Sequence, residues 1–81
     1  MTDVDVRGLL RAIGRGEGLD RVGDDGSLLE AGVLDSLAMM ELIEQIEARH
    51  GIRVTEDEMT PEHFDSVRAI EAFVRGKTAG A

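Results

Sequence analysis

With 81 residues and no cysteine, the chain has room for one domain and none for disulfides, thiolate zinc sites or cysteine nucleophiles. Its net charge of −8 is unevenly placed: residues 1–23 hold four acids and four bases, whereas residues 24–81 carry thirteen Asp or Glu against five Lys or Arg. Such a surface repels phosphate backbones and anionic headgroups, which argues against nucleic-acid and membrane partners, and it attracts proteins with basic patches.

Hydrophobic residues make up 42% and charged residues 32%, a globular composition, but Phe64 and Phe73 are the only Phe, Tyr or Trp. The core must therefore be aliphatic, with Met39, Met40 and Met59 available as adaptable filler. No secretory leader and no apolar run of membrane-spanning length is visible, so a cytoplasmic protein is expected.

Taken in chain order, Val6, Leu9, Leu10 and Ile13 recur at i, i+3, i+4 and i+7, one face of a first helix over about residues 3–15. Thr2 can cap it, with Asp5 three residues on, and Gly14, Gly16 and Gly18 end it. A long connector runs from Gly16 to Asp35; loops of that length carry function or short structure of their own. Within it Ser27-Leu-Leu-Glu30 reads as a capping box, predicting a single turn over about 28–31 whose leucines pin the loop to the core. A second helix spans about 36–50, stopped by Gly51, and Ile52-Arg53-Val54 is a short extended stretch packed beneath it. Thr60-Pro61-Glu62 supplies an N-cap, an N1 proline and an acid in the first turn of a short helix over about 61–64. The last helix, about 67–75, follows Asp65-Ser66 and presents Val67, Ile70, Phe73 and Val74 on one side, with Arg75 and Lys77 near its negative pole and a frayed tail over 77–81. The expected class is all-α, a single domain over 1–81 with three main helices, one short helix and a long loop between the first two.

The second helix is two-faced. At 100° per residue Met39, Leu42, Ile43 and Ile46 fall within an arc of about 100°, the stripe to be buried. Glu41, Glu44 and Glu47 lie opposite, and Leu37 and Met40 fall among those acids. Taken singly, these are ordinary features of a solvated face; together they form a docking surface for a basic, partly apolar partner. Ser36 stands at the start of this helix. Its ordinary role there is N-cap, yet a full capping box needs Glu or Gln at position 39, which is Met39. Unpaired backbone N–H groups and the positive helix pole also suit a phosphate esterified to that hydroxyl. The competing serines read otherwise: Ser27 belongs to its own box, and Ser66 caps a helix that lacks the acidic stripe. His50 and His63 are too few for a triad or metal cluster, and the acidic runs at Asp24-Asp25 and Glu56-Asp-Glu58 lack calcium-loop spacing. No metal site and no catalytic residue is expected.

Leu28-Leu-Glu-Ala-Gly-Val-Leu-Asp-Ser-Leu37, followed by an acidic amphipathic helix, resembles the modification segment of acyl and peptidyl carrier proteins. The preceding helix and long loop, the short third helix and the closing Phe64-Asp-Ser-Val67 stretch extend the resemblance over nearly the whole chain. It implies a small four-helix carrier bundle, monomeric and non-catalytic. It also implies that Ser36 receives a 4′-phosphopantetheine arm from coenzyme A through a Mg²⁺-dependent transferase, with Asp35 beside the transferase's metal and phosphate. Leu37, Met40, Glu41, Glu44 and Glu47 become the face read by successive partners: the phosphopantetheinyl transferase, a loading ligase, adenylation enzyme or acyltransferase, and downstream synthase or tailoring enzymes. The cargo is an acyl, aminoacyl or peptidyl thioester, with polyketide or nonribosomal-peptide metabolism preferred. The alternatives are a fatty-acid carrier and an unmodified interaction subunit.

Overall fold

The structure is a computed structural model, and it describes residues 4–79. Four α-helices succeed one another, α1 (Val6–Ala12), α2 (Ser36–His50), α3 (Pro61–Phe64) and α4 (Val67–Ala79), with 3₁₀ turns at Leu19–Arg21 and Glu56–Glu58. No strand occurs among the described residues. The all-α class and the boundaries of α2 and α3 stand as expected.

The first helix is shorter than the expected 3–15. Asp5 is its cap, accepting the Gly8 N–H at 3.0 Å, so the helix begins only at Val6. The proposed cap Thr2 lies outside the described residues. At the other end Gly14, at φ 82°, leaves the helical region, and Ile13 remains half-buried against the core without being helical. Apolar periodicity thus continued past the point where the backbone turned.

Three amphipathic stripes meet in the interior: Val6, Leu9 and Leu10 of α1, Leu42, Ile43 and Ile46 of α2, and Val67, Ile70 and Val74 of α4. Phe64 of α3, fully buried, fills the gap between them. Ala38 takes the innermost position in the first turn of α2, and Met39 lies at the edge of the stripe, half-buried.

The long connector is fastened from both sides. Leu19, Leu28, Val33 and Leu34 are buried. Arg7 of α1 donates to the carbonyls of Leu19 and Val22 at 3.0 and 2.8 Å and to the Asp24 carboxylate at 2.8 Å. That bond holds the Asp24 carboxyl below its ordinary range. From the α3–α4 junction, Asp65 accepts the Ser27 hydroxyl at 2.8 Å and the Leu29 N–H at 3.1 Å, and Arg68 meets Asp25 at 2.7 Å. Ser27 accepts the Glu30 N–H at 3.1 Å, closing the expected turn, but only Leu28 pins it to the core, since Leu29 is exposed.

The fourth helix is longer than expected. Lys77, placed in a frayed tail by the sequence reading, donates to both Glu58 oxygens at 2.8 and 3.0 Å, and the helix runs on to Ala79. This ion pair, with help from Thr55, pulls the Glu58 carboxyl down to about 2. The pair reaches across 19 residues of sequence, so no local signal announced it. Gly80 and Ala81 lie outside the described residues.

Candidate attachment site at the start of α2

Asp35 is the N-cap of α2. Its backbone is extended, at φ −135° and ψ −175°, and its Oδ1 accepts the Ala38 N–H at 2.8 Å. Ser36 is consequently the first helical residue rather than the cap, and it is exposed. Its hydroxyl is not needed to hold the helix end, and it stands where unpaired N–H groups and the helix dipole favour negative charge.

Behind the cap sits Arg15, from the loop that follows α1. Its Nη1 lies 3.2 Å from Asp35 Oδ2 and its Nη2 3.3 Å from Oδ1, a two-pronged contact. Arg15 also lines an open depression of about 540 Å³ bounded by Gly14, Gly18, Arg21, Gly32 and Val33, between the end of α1 and the turn that leads into Asp35. Sequence reading missed this arginine. It lies 20 residues from its partner, and helical periodicity carries no signal over that distance.

The outer face of α2 presents the apolar pair as expected: Leu37 is 61% exposed and Met40 60% exposed. Glu44 is exposed and Glu41 half-buried beside them. Glu47 has another duty, since its Oε2 accepts the Val54 N–H at 2.9 Å and so ties down the chain after the helix. Ser36, Leu37, Met40, Glu41 and Glu44 therefore form one continuous strip, with Glu47 at its flank and partly engaged in the fold. His50 and His63 lie apart from this strip; His63 packs its ring 4.9 Å from that of Phe73.

The arrangement is a single exposed hydroxyl at a helix start, an acidic neighbour held by an arginine, and an apolar-acidic strip beside it. It can hold an esterified anion and offer a landing surface. A family model described as phosphopantetheine attachment site matches residues 7–74, and the chain belongs to that family. It is a carrier protein whose prosthetic group is covalent 4′-phosphopantetheine. A chain of a solved structure titled "Crystal structure of FAD-dependent dehydrogenase" is 30% identical, with a TM-score of 0.71, over 85% of this chain and 97% of that one. No curated protein matches the chain. The residues at the start of α2 fit the group, because the Ser36 hydroxyl is exposed, released from capping and close to the one residue that Arg15 clasps.

Proposed function

We propose that Ser36 is the attachment residue and that the chain carries acyl, aminoacyl or peptidyl intermediates in polyketide- or nonribosomal-peptide-type metabolism. The observation that carries the first part is the shift of capping onto Asp35, which leaves the Ser36 hydroxyl exposed in the first turn. In the loading reaction the Ser36 oxygen forms a bond to the inner phosphorus of coenzyme A's pantetheine half. The pyrophosphate bond breaks, 3′,5′-ADP leaves, and the serine proton passes to a base of the transferase. When attached, the arm supplies a terminal thiol on which cargo rides as a thioester. The chain's own residues present the serine, keep the helix start ordered through Asp35, and steer basic partners toward Leu37 and Met40 through Glu41 and Glu44.

The FAD-dependent dehydrogenase structure supports a tailoring role. The matched chain is almost entirely covered, which makes it roughly 70 residues long, too short for a dinucleotide-binding domain of about 100–150 residues. A carrier-sized chain under that title favours a flavoenzyme among the partners of this protein too.

The test is intact-mass analysis after incubation with coenzyme A, Mg²⁺ and a promiscuous transferase. One phosphopantetheinyl increment is expected on the wild type and none on Ser36→Ala; an increment surviving Ser36→Ala overturns the assignment. Mass spectrometry of the loaded arm from the native host decides the pathway. Short acyl or aminoacyl cargo supports the reading, and a long fatty acyl chain overturns it.

A further inference from the structure

A phosphodiester on Ser36 is an anion placed one residue from the Asp35 carboxylate, in the more acidic part of a chain of net charge −8. Like charges at that spacing repel, so a side-chain cation beside Asp35 adds to what the positive pole of α2 supplies. Most of the chain's cations are committed or remote. Arg7 holds Asp24, Arg11 pairs with Asp20, Arg68 with Asp25, Arg75 with Glu71, and Lys77 with Glu58. Arg49 lies in the last turn of α2, about 20 Å away at 1.5 Å per residue, and Arg53 follows beyond the end of that helix. Arg15 alone is seated on Asp35; Arg21 lines the same depression, together with the acids Glu17 and Asp20, the latter held by Arg11.

We infer that Arg15 is the positioning residue and built-in counter-ion of the attachment site. In the unmodified chain its fork holds both Asp35 oxygens. In the modified chain its five donors allow it to bridge the carboxylate and the phosphodiester. Asp35 can share it without loss of the cap, because Oδ1 keeps the Ala38 N–H bond at 2.8 Å. Modification then leaves the helix start as stable as before, although it adds negative charge there. The inference rests on Ser36 being the modified residue.

The test compares melting temperatures of unmodified and pantetheinylated forms of the wild type, Arg15→Gln and Arg15→Lys, each form verified by intact mass, in low and high salt. For the wild type the two forms should melt within about 2 °C of each other. For Arg15→Gln the modified form should melt about 3–6 °C below its own unmodified form in low salt, and the gap should close in high salt as charges are screened. Arg15→Lys, a point charge without the fork, should fall between. A merely structural arginine lowers both forms of Arg15→Gln by the same amount, and that result overturns the inference while leaving the assignment of Ser36 intact. A Ser36→Ala chain that still accepts the arm overturns the assignment, and the inference with it.

Discussion

Two helices of this protein open on nearly the same tripeptide, Asp35-Ser36-Leu37 and Asp65-Ser66-Val67, and the two are built differently. At the first, Asp35 caps and Ser36 is the first residue of the helix. At the second, Ser66 caps, its hydroxyl accepting the Ala69 N–H at 3.0 Å, and the helix begins one residue later. The Asp65 carboxylate is occupied by the Ser27 hydroxyl and the Leu29 N–H, which lie 38 and 36 residues away in sequence. Asp35 Oδ1 accepts the Ala38 N–H of its own helix while Arg15 clasps both carboxylate oxygens from the side. A serine becomes available for chemistry where its neighbour takes over the cap, and it is consumed where that neighbour is needed elsewhere.

The largest expected effect separates the two serines outright. Ser36→Ala should abolish pantetheinylation and change stability by no more than about 0.5 kcal/mol, because that side chain is exposed and caps nothing. Ser66→Ala should accept the arm normally and lose about 1 kcal/mol as its helix loses a cap, a fall of roughly 4–8 °C in melting temperature. Mass spectrometry and thermal melts on the same two proteins check both halves, and interchanged outcomes would break the contrast.

The aspartates come next. Asp65→Ala should cost about 1–3 kcal/mol, since the partly buried Ser27 hydroxyl and the loop N–H both lose their acceptor. Asp35→Ala should cost only about 1 kcal/mol, the usual worth of a cap, because its arginine contact is exposed and contributes little. Urea titrations of the two variants rank them, and an Asp35→Ala chain less stable than Asp65→Ala would contradict the assignment of duties.

The smallest effect is an acid one, in the Lys77–Glu58 and Arg7–Asp24 ion pairs. Glu58, drawn down to about 2 by Lys77 of α4, has a folded-state value below its unfolded one. Its stabilising contribution is therefore present above the unfolded range near 4.5 and is lost as pH falls toward 2. Asp24, lowered by Arg7, adds in the same direction below its ordinary 3.8. Melting temperature followed across that window should fall less steeply for Lys77→Met than for the wild type. Parallel curves would show that the Lys77 contact does not set the Glu58 shift.

Much of the fold is legible in the sequence. The two faces of α2, the turn after Ser27, the Pro61 start of α3, and Leu37 and Met40 as exposed apolar residues all followed from spacing and turn residues, whereas Thr60 stands at the N-cap of α3 without a side-chain cap bond. Other residues misled for identifiable reasons. Ile13 continued the periodicity of α1 beyond its backbone, Glu47 shared the acidic repeat while bonding to Val54, and Lys77 looked like a tail residue while holding Glu58.

The sequence by itself determined what acts within one or two helical turns: which residues face inward, where α2 and α3 begin, and which hydroxyl stands ahead of an acidic amphipathic helix. Only the tertiary structure decided where α4 ends, that Asp65 is claimed by the Ser27 loop, and that Arg15 meets Asp35. The physical reason is range. Periodicity and capping couple residues about four apart, whereas these contacts join groups 19 to 38 residues apart that meet only once the helices have packed.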